Sequence, residues 1–157
     1  MATRKASRGV TVAVNRRARY DYELLETFDA GIVLIGSEIK SLREGKASIA
    51  EGYARLRDGE LWLYNVHVAH YPPARESHDP TRPRKLLLHR RQLDRLDREL
   101  RERPRTTVIP LRLYLNNGLA KIELGLARGR RTYDKRQAIA KRDAERAIQR
   151  GLRHASR

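Results

Sequence analysis

One segment restricts the fold more than any other: VIPLRLYLNNGLAKIELGLA, residues 108–127. Apolar and polar residues alternate on both sides of Asn117-Gly118, a pair suited to the left-handed backbone of a two-residue hairpin turn. Turning there sets Leu113 opposite Ile122 and Leu111 opposite Leu124 as one apolar face. Arg112 then faces Glu123, and Tyr114 faces Lys121, on the other side. Antiparallel β-structure is therefore the frame into which the remaining elements must fit.

The same signals recur upstream. Asp58-Gly59 joins runs at 53–57 and 60–68 as a second hairpin, with Arg55 opposite Trp62. Apolar-rich runs at 22–28 and 32–35 are separated by Asp29-Ala30-Gly31, which reads as a third hairpin connection. Two helices are expected between strands. Ser37 N-caps a short one at 38–44, with Ile39 and Leu42 inward and Gly45 as its stop. A longer one at 86–102 carries Leu93, Leu96 and Leu100 at helical spacing, and Pro104 ends it. The pairs Asp94/Arg98, Asp97/Arg101 and Glu99/Arg103 lie on its wet face. Residues 71–83 form a loop rich in Pro and charge. These elements predict a mainly β fold, an antiparallel β-barrel, open or closed, with flanking α-helices, of which the small OB-like barrel is the familiar RNA-binding version.

At 157 residues the chain is one domain's worth of protein. No stretch approaches the ~20 apolar residues of a membrane span. The N-terminal MATRKASRG is basic but is followed by no apolar h-region, so it does not read as a secretory signal. Cysteine is absent, which excludes disulfide and thiolate chemistry and fits a cytoplasmic setting.

The formal charge of +16 is unevenly placed. Residues 1–20 hold six cations and no acid, residues 128–157 net +8, and the stretch between nets only +2. A near-neutral body with two basic ends points to a polyanion, foremost nucleic acid, with anionic membrane or an acidic protein as the alternatives. The last thirty residues have Ile139, Ile148 and Leu152 as their only large aliphatics, too few for a core-facing stripe. Such a basic C-terminal tail is expected to be disordered when free and to become helical against a partner. The plain alternative is a solvated basic tail without a specific role.

No catalytic pattern is present. His67 and His70 are three apart on an expected strand and face opposite ways, unsuited to a shared metal. His78 and His89 are the pair a ribonuclease would need, but their spacing carries no such signal, and packing or RNA contact suits them better. No cofactor is expected. Aromatic residues beside cations, as at Arg17, Arg19, Tyr20 and Tyr22, and Tyr114 with Lys121, suit the stacking of unpaired bases. Tyr22 and Trp62 also read as half-buried barrel residues.

Taken together, NRRARYDYELLETFDAGIVLIGSEIKSLREGKASI, DPTRPRKLLLH, IPLRLYLNNGLAKIELGLARGRR and YDKR resemble, in order and spacing, the SmpB family of SsrA-binding proteins. The resemblance runs from about Asn15 to Asp143. It implies an OB-like barrel, residues 15–131, that grips the elbow of the tRNA-like domain of transfer-messenger RNA. A basic arm, residues 1–14, precedes it, and a tail, residues 132–157, follows it and folds in the decoding region and mRNA path of the small ribosomal subunit. Alanyl-tRNA synthetase and elongation factor Tu are implied as indirect partners, and the protein as a monomer without catalytic activity. By motif, the RNA-binding residues are Asn15, Arg16, Arg17, Arg19, Tyr20, Asp29, Arg43, Leu87, His89, Lys121, Gly129, Arg130 and Arg131. The ribosome-directed residues are Tyr133, Asp134, Lys135, Arg136, Ile139, Lys141 and Arg142. Two departures stand out. Tyr20 replaces a frequent His, and Ile139-Ala140-Lys141 replaces a common Ile-Lys-Glu, leaving Asp143 as the nearest acid.

Overall fold

The computed structural model describes residues 9–73, 77–130 and 132–155. The elements run β1 (Val10–Val14), α1 (Ala18–Asp21), β2 (Tyr22–Ile32), α2 (Gly36–Arg43), β3 (Ala47–Ser48), β4 (Tyr53–Arg57) and β5 (Glu60–Tyr64). After them come β6 (His67–Val68), β7 (Arg84–Leu87), α3 (Arg90–Glu102), β8 (Thr106–Asn116), β9 (Leu119–Gly129) and α4 (Thr132–Ala155).

Both two-residue turns form as their sequences dictate. Asp58 and Gly59 have φ of 51° and 74°, and Asn117 and Gly118 have 51° and 76°. The β8–β9 register is Leu113↔Ile122, Tyr114↔Lys121 and Arg112↔Glu123, as alternation predicts. One residue corrects the expectation. Leu124 pairs with Pro110, because a bulge at Leu111 inserts an extra residue and sends its side chain to the other face. Leu111 there packs against the small second cluster of Ala18, Ile109 and Ala127.

The strands are antiparallel and adjoin in the order β1-β8-β4-β5-β7-β2-β9, with β8 also pairing β9. Six strands thus close a barrel, and β1 adds to β8 outside the closed ring. The edge of β8 opposite β9 is shared: Val108 pairs with β4, and the stretch from Arg112 to Leu115 pairs with β1. Strand β1 lies within the segment read as a basic arm. Its VTVAV is short and has no turn beside it, so periodicity alone could not place it.

The barrel interior holds Leu61, Leu63, Leu86, Val108, Leu113, Ile122, Leu124 and Leu126, each at most 2% exposed. Leu93 and Leu96 of α3 and Leu42 of α2 pack against this cluster. In the first turn of α2, the buried Glu38 accepts from Arg82 and Arg84, while Arg84 also donates to the carbonyls of Val66 and Pro80.

Three further expectations are corrected. Asp29-Ala30-Gly31 is no turn: β2 runs straight through it, because β9 pairs with it from Tyr22 to Gly31. Residues 86–89 are not helical. Leu86 is a wholly buried strand residue paired with Leu61 and Ile32, so closure of the barrel overrides its helical spacing. Ser37 does not cap α2. The backbone N–H of Ile35 donates to the carboxylate of Glu38 at 3.0 Å, and the Ser37 hydroxyl instead meets His78.

In the tail, residues 132–155 form a continuous helix. Ala, Arg and Gln favour helix intrinsically, and the first turns find a support on α1. Lys135 pairs with Asp21 at 3.5 Å, and the Arg142 guanidinium lies 4.6 Å from the Tyr20 ring centre. Further along, Ile148 and Leu152 are more than 60% exposed.

Candidate RNA-binding surface

Strand pairing lines up residues remote in sequence on the outside of the barrel. Leu87 of β7 faces Gly31 of β2, Gly31 faces Lys121 of β9, and Lys121 faces Tyr114 of β8. One step along, Asp29 faces Glu123, which faces Arg112. Gly31 keeps this row low in the middle: a Cβ there would stand 3.3 Å from that of Leu87. The result is a shallow concavity of about 400 Å³ that includes Asp29, Gly31, Leu87, His89, Gln92 and Lys121.

Each side chain in the concavity has a distinct chemical use. Asp29 accepts from the Tyr114 hydroxyl at 3.0 Å, and a carboxylate so held retains lone pairs for base amino groups. Leu87 is 53% exposed and offers an apolar surface on which a base or ribose can lie. His89 is the exposed N-cap residue of α3, and its backbone N–H donates to Gln92. Lys121 is half-buried with no ion pair among the described residues, so its charge is available to a phosphate. Four residues on the predicted RNA-binding list, Asp29, Leu87, His89 and Lys121, thus converge on one depression.

The remaining predicted residues fall elsewhere. Asn15 is latched to the β8 bulge. Its backbone N–H donates to Leu111, and its Nδ2 donates to the Pro110 carbonyl. Arg16, Arg17 and Arg19 are exposed around α1, which is pinned to the barrel by the buried Ala18. Tyr20 is half-buried beneath Arg142, so its face is already engaged by a cation. Arg43 is exposed in the last turn of α2 and lines neither this concavity nor the cleft described next.

Gly129 and Arg130 belong to a second depression, a cleft of about 520 Å³ between the end of β9 and α4. Its walls bring in Glu23, Arg105, Arg128, Gln137 and Lys141. Arg128 pairs with Glu23 at 2.7 Å, and hydrogen bonding by Arg128, aided by its charge and that of Arg130, holds the Glu23 carboxyl below its ordinary range. Arg131 lies outside the described residues. Tyr133 and Asp134 are in the first turn of α4. Arg136, Ile139, Lys141 and Arg142 are exposed along that helix, and Lys135 is half-buried against Asp21.

Sequence reasoning missed Arg105 and Arg128 in this cleft. Sequence patterning does not single out Arg105, and Arg128 counts only within the basic stretch 128–157; the return of α4 past the end of β9 gives them a common object. For Arg128 the nearest signal was its place beside Gly129-Arg130. For Arg105, directly after Pro104, none existed.

His78 is 4% exposed, and its Nε2 donates to the Val68 carbonyl while Nδ1 accepts from Ser37. Both ring nitrogens are thus engaged, one with α2 and one with β6. No cluster of His, Asp and Glu suited to a metal occurs among the described residues, and no helix there is long and apolar enough to cross a membrane.

Known proteins with this pattern agree in sequence and in shape. The SsrA-binding protein of Thermobifida fusca (strain YX) is 53% identical, with 91% of this chain and 89% of the relative covered. That of Synechococcus sp. (strain JA-3-3Ab) is 56% identical over 91% of this chain and 94% of its own. That of Chloroflexus aggregans (strain MD-66 / DSM 9485) is 50% identical, with 100% of this chain and 99% of the relative covered. A solved structure described as "tmRNA-SmpB: a journey to the center of the bacterial ribosome" superposes with a TM-score of 0.64 at 47% identity. It covers 80% of this chain and 92% of its own. The family described as SmpB protein matches residues 12–154, and the chain belongs to that family.

Proposed function

We propose that this chain binds the tRNA-like domain of transfer-messenger RNA, supports its alanylation, and delivers it to stalled ribosomes for trans-translation. The observation that carries the reading is the convergence of Asp29, Leu87, His89 and Lys121, remote in sequence, on one outer concavity. A carboxylate, an apolar platform, an imidazole and a cation at one place suit a structured RNA with exposed bases better than a uniform polyanion. The relatives named SsrA-binding proteins and the tmRNA-SmpB structure support the choice of RNA.

The tail has a different task in this reading. From Tyr133 onward α4 enters the vacant decoding region and mRNA channel of the small subunit, where its cations meet ribosomal RNA. Alanyl-tRNA synthetase and elongation factor Tu act on the RNA the protein holds, and the protein itself works as a monomer in the cytoplasm without catalysis. Competition binding tests the proposal. A tRNA-like RNA is expected to be preferred over single strands of equal length, with affinity falling as salt rises. Equal affinity for both would reduce the protein to a general single-strand-binding module.

A further inference from the structure

The cleft between the end of β9 and α4 has a composition that the elbow concavity does not share. Arg105, Arg128, Arg130 and Lys141 surround it, against one acid, Glu23, already held by Arg128. Three of these cations stand on the body and one on the tail helix. The Nε of Arg130 is buried and without a hydrogen-bond partner among the described residues. A donor left so at a cleft wall is a cost unless a ligand oxygen meets it. Arg105 is held at φ 63°, in the left-handed region that non-glycine residues rarely adopt, as the chain turns out of α3 into β8. The lining otherwise consists of Gly129, Gln137 and Ala138, with no aromatic or large apolar side chain for a base to stack on.

We propose that this cleft takes the sugar–phosphate backbone of the bound RNA, with a phosphate bridging Arg105 and Arg130 of the body to Lys141 of the tail helix. The proposal rests on the reading of the protein as an RNA binder. It adds Arg105 and Arg128 to its RNA contacts and gives Lys141 a partner on the body side. Guanidinium groups suit bidentate phosphate contacts, and an ammonium on a flexible stem closes the opposite wall. RNA held there fixes the first three turns of α4 against the barrel, adding to the support that α1 gives through Lys135–Asp21 and Arg142–Tyr20. The tail's direction is then set by the same RNA that the concavity grips.

The test uses the full chain and a synthetic tRNA-like domain of transfer-messenger RNA. Affinity is measured for Arg105→Ala, Lys141→Ala and the double variant, with Lys121→Ala as a reference for the concavity. Each cleft variant is expected to bind about tenfold more weakly, as loss of a charge-assisted contact implies. The double variant should lose less than the product of the two, because both residues address one phosphate. Amide hydrogen exchange over residues 137–142 should slow when RNA is added to wild type or, at saturation, to Lys121→Ala. It should not slow in Arg105→Ala. Wild-type affinity in both cleft variants, or unchanged exchange on RNA addition, overturns the cleft proposal even if Lys121→Ala binds weakly. Equal protection by poly-glutamate at matched charge overturns its assignment to RNA. Wild-type binding by Lys121→Ala alone counts against the elbow reading and leaves the cleft standing.

Discussion

The β8–β9 hairpin and the α4 helix are two extended regular elements in this molecule, and they are ordered for opposite reasons. Along the hairpin, Leu113, Ile122, Leu124 and Leu126 are at most 2% exposed, so the strands are held by what they bury. Along α4, Ile139, Ile148 and Leu152 are 47%, 62% and 65% exposed, so the helix rests on propensity and a few polar contacts near its start. Hydrophobic burial is cooperative across a domain, whereas helix propensity is local and summed residue by residue. The barrel is thus built to present a fixed surface, and the tail is built to be placed by something else.

Truncation after Arg131 is the most drastic way to break this division. Tagging on stalled ribosomes should fall to background, while binding to the tRNA-like RNA persists with a loss no greater than the roughly tenfold assigned to Lys141. Filter binding and a tagging assay on the same preparation distinguish the two. Parallel collapse of both would show that the tail is part of the RNA-gripping body.

Within the body, Arg84→Met should have the largest effect on stability. It strands the buried Glu38 carboxylate with only the partly exposed Arg82 as a charged partner, a change worth about 3–5 kcal/mol. Burial works against the charged form of Glu38, but hydrogen bonds from Arg82, the Ile35 N–H and Arg84, with the charge of Arg84, outweigh it and keep its pKa below the ordinary 4.5. A carboxyl with a lowered folded-state pKa stabilises the fold above the unfolded-state value, and that contribution disappears as pH falls through the folded-state value. Stability of the wild type should therefore decline on acidification below about 4.5, and that of Glu38→Gln should decline less steeply. Urea titrations at several pH values measure both.

Leu113→Ala follows, at about 2–5 kcal/mol through a cavity in the barrel interior. Lys121→Ala, one register step from the same core face, should leave the unfolding midpoint nearly unchanged and weaken RNA binding. The two variants together sharpen the division between inner and outer faces. The reverse outcome would mean that the hairpin alternates in the other sense.

How much of this was legible in the sequence depended on the range over which each signal acts. The two hairpin turns and the pairing of Leu113 with Ile122 were readable because Asp58-Gly59 and Asn117-Gly118 impose their geometry locally. The bulge at Leu111 was not, since it serves contacts with Ala18, Ile109 and Ala127 that only the folded chain brings together. Leu86 and Leu87 looked helical beside Leu93 and became strand because the barrel needed β7 between β5 and β2. The same closure places Leu87 beside Lys121 across Gly31, a meeting no local pattern announces. The residues of the concavity came from resemblance, and their spatial unity came from the fold. The cleft residues Arg105 and Arg128 came from the fold alone.

The smallest effect discriminates best between the two kinds of order. Gly151 lies inside α4, and a Cβ added there meets nothing within 4 Å. Glycine in an exposed helix interior costs about 0.5–1 kcal/mol relative to alanine, through backbone entropy. Gly151→Ala should therefore raise helicity over the last turns, seen as slower amide exchange there and a small gain in far-ultraviolet ellipticity. The global unfolding midpoint should not move, because residues 143–154 of α4 are all exposed and share no burial with the barrel. If the midpoint rose by the full amount, the helix would be cooperative with the body, and the tail would be a structural part of the domain. If neither exchange nor midpoint changed, propensity would not govern the tail, and its order would have to come from contacts near α1.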